Sequence, residues 1–148
     1  MRLVVGSDHA GFHLKEELAR HLRTAGHDIT DVGTADTASV DYPDFGAAVG
    51  RAVVAGDGEL GVAVCGSGIG IAISANKVPG VRAATVHDVT SARMSREHND
   101  ANVVCFGARF TGVQVALDAL DAFLGATFAG GRHSRRVDKI TALDQPTC

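Results

Sequence analysis

Cys65-Gly66-Ser67-Gly68-Ile69-Gly70 puts a thiol, a hydroxyl and three glycines into six consecutive residues. The apolar run Leu60-Gly61-Val62-Ala63-Val64 precedes it. Ile71-Ala72-Ile73-Ser74-Ala75-Asn76-Lys77 follows, and Pro79-Gly80 stops that segment. The order predicts a strand, a glycine-rich turn and a helix. The first N–H groups of a helix lack intrahelical acceptors, and its peptide dipoles point their positive end there. Such a turn would bind a phosphate, hold an enolate oxygen or lower a thiol pKa. The nucleotide-binding patterns fail. Counting GxGxxG from Gly66 ends on Ile71, and from Gly68 on Ile73. No GK[ST] closes a Walker loop. Glycines also serve plain tight turns, but three of them directly after Cys65 favour a site.

Other residues carry chemistry of their own. Cys105 sits within an apolar strand, where a thiolate would be costly, so it reads as a core residue. His98 stands near the end of a helix, where the dipole favours an imidazolium. The adjoining Asn99 and Asp100 point to a packed polar corner. His9 follows the first strand and suits an anion, whereas His13, His21 and His27 read as surface residues. Arg132 and Arg136 are spaced i, i+4 behind Gly130-Gly131, a pairing suited to phosphate. Arg109, after the fifth strand, would join them. No spacing suggests a metal site. These residues together point to proton transfer on a small sugar phosphate.

The elements that must position them alternate. Leu3-Val4-Val5 predicts a strand, and Leu14, Leu18 and Leu22 a helix closed by Gly26. Ile29 and Val32 mark a second strand. Pro43 opens a helix whose apolar face is Phe45, Ala48, Val49, Ala52 and Val53. After the glycine turn, Val81 to Val86 predicts the fourth strand and Asp88 to Glu97 a helix. Asn102 to Phe106 is the fifth strand. Thr111 is expected to cap a helix carrying Val113, Leu117, Leu120 and Leu124. Gly130-Gly131 opens a last basic helix whose other face is Val137, Ile140 and Leu143. Short continuous apolar strands alternating with helices predict a parallel sheet covered on both faces. In such sheets, ligands bind beyond the strands' carboxyl ends. Those ends carry Asp8-His9, Cys65 to Gly70, His87-Asp88 and Gly107 to Arg109.

Composition sets the bounds. A length of 148 residues suits one domain. A net charge of −3, no Trp and a single Tyr argue against a nucleic-acid surface. No run approaches the roughly 20 apolar residues of a membrane span. The chain shows no signal peptide, and its three cysteines, Cys65, Cys105 and Cys148, form no disulfide framework. A reducing, cytoplasmic setting is expected.

Taken in order, Gly6-Ser7-Asp8-His9-Ala10-Gly11-Phe12, Asp41-Tyr42-Pro43, Cys65 to Gly70, Ala75-Asn76-Lys77, His98-Asn99-Asp100 and Gly130-Gly131-Arg132-His133 resemble the type B ribose-5-phosphate isomerases. That wider family includes allose- and galactose-phosphate isomerases. The resemblance runs from about Met1 to Ile140. It implies a three-layer α/β/α domain with a five-stranded parallel, Rossmann-like sheet. It also implies an aldose–ketose isomerisation through an enediolate, without metal or cofactor. Homodimers, sometimes tetramers, with sites at the subunit interface are expected. By the resemblance, Cys65 is the proton-transferring base and His98 the group that opens the sugar ring. Asp8, His9 and Tyr42 fall on substrate-binding positions. Gly66, Ser67, Gly68, Ile69 and Gly70 hold the enediolate oxygen, with Asn99 assisting. Arg109, Arg132 and Arg136 lie on the phosphate side. Ser67 would bond the substrate or the thiolate. One branch uses a glutamate later in the loop. Ile71 stands there in this chain, which places it in the cysteine branch. Other four-, five- or six-carbon aldose phosphates are the alternative substrates, and a non-catalytic phosphate- or nucleotide-binding module is the alternative of another class. One domain over 1–148 is expected, with its C-terminal helix and tail from about 132.

Overall fold

The strands form from short apolar runs, the three central ones burying side chains on both faces at once and the two edge strands half-buried or exposed. They are β1 (Arg2–Ser7), β2 (Asp28–Asp31), β3 (Leu60–Cys65), β4 (Ala83–Thr85) and β5 (Val103–Gly107) in a computed structural model that describes residues 1–144. Cys148 lies outside the described residues. All pairings are parallel, in the order β2-β1-β3-β5-β4. The helices are α1 (Phe12–Thr24), α2 (Tyr42–Ala55), α3 (Ile69–Ala75), α4 (Val89–Asn99), α5 (Val113–Gly125) and α6 (Ser134–Ala142). The five-stranded α/β sheet is the expected one.

Alternation along the strands divides the core. Leu3, Val5, Val62, Val64, Val104 and Phe106 meet Leu14, Leu18 and Leu22 of α1 and Leu120 and Phe123 of α5. Val4, Ala63, Cys65, Val103 and Cys105 face Val49 and Val53 of α2 and Ile71 and Ala75 of α3. The period of two in a strand sends adjacent residues to opposite cores. Burial pushes the Cys105 thiol far up, which fits its reading as a core residue.

Three helices differ in detail from the sequence reading. On α2 the fully buried positions are Gly46, Val49, Gly50 and Val53, with Phe45, Ala48 and Ala52 beside them. A Cβ on Gly46 would stand 2.2 Å from Ser74 Oγ, so the missing side chain lets α2 lie against α3. On α5 the core face is Ala116, Ala119, Leu120 and Phe123, while Val113 is exposed. That face packs against Ala92 of α4 as well as against the strands, and Val113 stands in the exposed first turn of α5. Gly112 is the N-cap residue of α5, and the buried Thr111 hydroxyl finds no partner, so Thr111 is not the cap. The basic C-terminal segment begins as a 3-10 turn, Gly131–His133, before α6. Val137 of α6 is buried, but Ile140 and Leu143 are 41% and 82% exposed.

Lys15 is a feature that periodicity did not show. It is 1% exposed, next to Leu14 on the inner side of α1. Its ammonium donates to Asp31 Oδ2 at 2.5 Å and to the Thr34 carbonyl at 3.0 Å. The buried charge is thus paired and hydrogen-bonded, as burial requires. Lys15→Met keeps the stem and leaves the Thr34 carbonyl without this donor. A loss of about 1–3 kcal/mol is expected, read from urea unfolding. An unchanged midpoint would show that the buried ammonium adds nothing.

Candidate active site

The chain's path turns outward in both directions from β1 and β3, so the crevice between their carboxyl ends is the topological switch point. A cleft of about 470 Å³ opens there, lined by Asp8, His9, Tyr42, Cys65, Ser67 and Arg109 among others. Each side chain arrives by a local cause. Asp8 leaves β1 and its Oδ1 accepts the Gly11 N–H at 2.9 Å, which closes the turn into α1. His9 Nδ1 lies 3.1 Å from the Val40 carbonyl and 3.2 Å from its N–H. Either tautomer therefore finds a partner on Val40, and Nε2 is left for the cleft.

Cys65 ends β3 and is 3% exposed. Its Sγ accepts the Gly68 N–H at 3.2 Å. Gly68 has φ +75, a left-handed conformation that suits glycine. A Cβ there would also stand 2.8 Å from Gly107 N. Ser67 Oγ accepts the Ile69 N–H at 3.2 Å, so the hydroxyl folds onto its own turn. The loop is tied to its neighbours by Ala108 N–H to the Cys65 carbonyl at 2.9 Å and Arg109 N–H to the Gly66 carbonyl at 3.0 Å. Thr85 Oγ1 donates to the Gly68 carbonyl at 2.8 Å. Arg109 reaches back over Gly66, and the Tyr42 ring covers Gly70. Gly66, Ile69 and Gly70 line the cleft, whereas Gly68 lies buried beneath it.

The remaining predicted residues gather elsewhere. The 11 residues of α4 rise 1.5 Å each, about 16 Å in all, away from the strands' carboxyl edge. His98 and Asn99 sit at its far end. Ala129 N–H donates to the Glu97 carbonyl at 2.9 Å, which brings the Gly130-Gly131 turn against that end. There the His133 ring stacks on His98 with centroids 4.3 Å apart and planes 8° from parallel. Arg132 and Arg136 follow, both exposed. Asn99 lines a separate pocket with Arg82, Ala83 and Ile140. None of His98, Asn99, Arg132 and Arg136 lines the cleft at Cys65. The predicted site residues of one chain thus fall into two groups, on opposite edges of its sheet.

Comparison with known proteins then decides the family. A family model described as Ribose/Galactose Isomerase matches residues 3–140. The chain belongs to the ribose/galactose isomerase family. It is 44% identical over 144 residues to ribose-5-phosphate isomerase B of Escherichia coli, covering 97% of each chain. A solved structure of ribose-5-phosphate isomerase B from Clostridium thermocellum matches with TM-score 0.96 and 50% identity, over 97% of both chains. That of Mycoplasma genitalium, with bound ribulose-5-phosphate, matches with TM-score 0.93 and 40% identity over 99% of this chain and 97% of that one.

Sequence reading of this family member missed several supports. Thr85, which holds the glycine loop, sits in an unremarkable strand. Val40, which holds His9, lies in a loop. Their roles arise from backbone approach, for which spacing carries no signal. His21 and His27, read as surface residues, are half-buried; His21 bonds Asp121 and the His27 Nδ1 is buried without a partner. Among the described residues no three His, Cys, Asp or Glu side chains stand together as a metal centre would need.

Partial burial pushes the His133 imidazole below its ordinary 6.5, and positive charge on His98, Arg132 and Arg136 pushes the same way. The folded state therefore binds a proton less readily than the unfolded chain. The stability this group contributes is present above 6.5 and is lost as pH falls through the lowered value. In an NMR titration, the His133 ring should titrate below 6.5. His98→Ala should move it back toward that value, and an unmoved midpoint would show that the stack does not couple them.

Proposed function

We propose that this chain is an aldose–ketose isomerase that interconverts ribose 5-phosphate and ribulose 5-phosphate through an enediolate. The observation that carries the proposal is the Cys65 sulfur, held by the Gly68 N–H in the wall of the switch-point cleft. The names of its close relatives support the same substrate.

The chemistry follows from the arrangement. In the open-chain aldose the neighbouring carbonyl makes the C2 proton weakly acidic. Cys65, as the thiolate, takes that proton, and the electron pair moves to form a C1–C2 double bond. The carbonyl oxygen becomes anionic and is held by loop N–H groups between Gly66 and Gly70. One such donor is worth about 2.7–4 kcal/mol in comparable sites. The proton returns to C1 while a hydroxyl proton passes from O2 to O1. This yields the ketose and restores the thiolate. Asp8, His9 and Tyr42 orient the sugar, Ser67 steadies the loop, His98 opens the ring and Asn99 adds a donor to the enediolate. Arg109, Arg132 and Arg136 bind the phosphate and so fix the reacting carbons from a distance. The thiolate needs a reduced thiol, which fits a cytoplasmic setting. Residues 1–148 act as one catalytic domain, with the C-terminal helix from about 132 as its outreaching part.

The two groups of residues in one chain call for a second copy. In a homodimer, or a tetramer built from such dimers, the carboxyl edge of one protomer faces the His98, Asn99, Arg132 and Arg136 cluster of its partner. A two-fold axis then makes two complete sites. A second substrate reading rests on the breadth of the family, which spans ribose and galactose isomerases. A longer or shorter aldose phosphate would use the same thiol and loop.

Cys65→Ala should abolish turnover of ribose 5-phosphate while binding persists in calorimetry. Near-normal turnover would remove the thiol from the mechanism. In a panel of four-, five- and six-carbon aldose phosphates, kcat/KM should be highest for ribose 5-phosphate. A higher value for a six-carbon phosphate would reassign the substrate. Mixing Cys65→Ala with the impaired His98→Ala protein under subunit exchange should raise activity well above that of either alone, because each mixed dimer holds one intact site. No recovery, with exchange verified by mass spectrometry, would place both residues in one chain's site.

A further inference from the structure

Asp100 is the one residue other than glycine with a left-handed backbone among the described residues, at φ +46. It stands directly after His98 and Asn99, at the end of α4. Asparagine and aspartate enter this region more readily than bulkier residues, but the conformation still needs support. The support here is electrostatic. Asp100 Oδ1 accepts from Arg96 Nη1 at 2.8 Å, and Oδ2 from Arg82 Nη2 at 2.9 Å.

The same two guanidinium groups close the helix end. Arg82 Nε donates to the Asp100 carbonyl at 2.9 Å and to the Asn99 carbonyl at 3.2 Å. Arg96 Nη1 donates to the Ala101 carbonyl at 2.8 Å. The Asp100 and Ala101 N–H groups return to the Arg96 and Ser95 carbonyls. Carbonyls that a helix C-terminus leaves without partners are thus satisfied by two cations bridged by one carboxylate. Arg82 lies outside α4, just before β4. Its own N–H donates to Asn102 Oδ1 at 2.7 Å, and the Asn102 amide donates to the Gly80 carbonyl at 2.8 Å. The end of α4 is therefore fastened to the segments that enter β4 and β5. The clamp is sheltered: the Arg82, Arg96 and Asp100 side chains are 20%, 15% and 33% exposed.

We propose that Arg82, Asp100 and Arg96 form a clamp that positions His98 and Asn99 for the reaction. The proposal rests on the reading of His98 and Asn99 as site residues given above. The three clamp residues are positioning residues, for they grip the backbone of the turn that presents His98 and Asn99. Fixing this turn sets where the imidazole and the amide project, and a site assembled from two surfaces depends on that projection.

Asp100→Gly tests the clamp cleanly, since glycine accepts φ +46 without strain and removes only the carboxylate. The expected result is a folded protein whose kcat falls by about 10²-fold, the scale of a 1 Å misplacement, while KM moves less. Asp100→Asn, which keeps the volume and the backbone tolerance, should retain an intermediate rate. The deciding measurement is a double-mutant cycle. In a His98→Ala or Asn99→Ala protein, Asp100→Gly should cost less than it does in the unaltered one, because its target is already gone. Strictly additive losses, or an Asp100→Gly protein with unaltered kcat, would overturn the clamp. Full activity in both His98→Ala and Asn99→Ala would instead overturn the reading beneath it. If Asp100→Gly does not fold, Arg82→Gln carries the same cycle from outside the helix.

Discussion

The glycine loop rests its backbone directly on the end of β5, and the cleft at the carboxyl edge depends on that contact. A Cβ on Gly107 would stand 2.4 Å from the Ser67 carbonyl oxygen, and one on Gly68 would stand 2.8 Å from Gly107 N. Two glycines facing each other let the chains approach to hydrogen-bonding distance. The pairs Ala108–Cys65 and Arg109–Gly66 then close the seam. With the seam closed, Gly68 lies where its N–H meets the Cys65 sulfur. Arg109 is carried over Gly66 by the same pairing. A side chain at either glycine would lift the loop and separate sulfur, donor and guanidinium together.

The rest of the fold keeps that seam still. The core behind Cys65 is built from small and β-branched residues: Val4, Ala63, Val103 and Cys105 against Val49 and Ile71. Close packing of this kind yields little to small displacements. The approach of α2 to α3 at Gly46 places the start of α2 so that the Tyr42 ring covers Gly70. One wall of the cleft is therefore set by helix packing and the other by strand pairing.

The parts of this arrangement that were legible in the sequence are those with a local signal. Strand-turn-helix order and the Cys65 to Gly70 turn announce themselves by residue type and spacing, whereas Arg132 lies in the 3-10 turn and Arg136 in α6, so the two do not share one helix as their spacing suggested. The polar corner suggested by Asn99 and Asp100 is present as the double arginine contact. What was not legible arises from approach between distant segments. The core face of α5 takes in Ala116 and Ala119 and leaves Val113 outside, because α4 covers the middle of the helix and not its first turn. Lys15 looks like any solvated lysine until β2 brings Asp31 to it. Ile140 and Leu143 read as a core face, yet α6 buries only Val137 of the three against its own chain.

The direction of the helices explains why the predicted site residues fall on two edges. In a parallel sheet with crossover helices, helix N-termini gather at the strands' carboxyl edge and helix C-termini at the other. The first edge favours negative charge and the second positive charge. The sugar phosphate reaction needs both kinds of help: donors for a developing enediolate, and cations for a phosphate. Cys65 and the loop N–H groups stand on the first edge, while His98, Arg132 and Arg136 stand on the second. A single copy of this fold cannot bring those edges together across about 16 Å of helix. In the proposed homodimer two copies with opposed edges would do so, the cationic edge of each meeting the anion-binding edge of the other. Both edges attract negative charge, so in the proposed pairing the phosphate and the developing enediolate of the substrate, not the edges themselves, supply the attraction that joins them at the site.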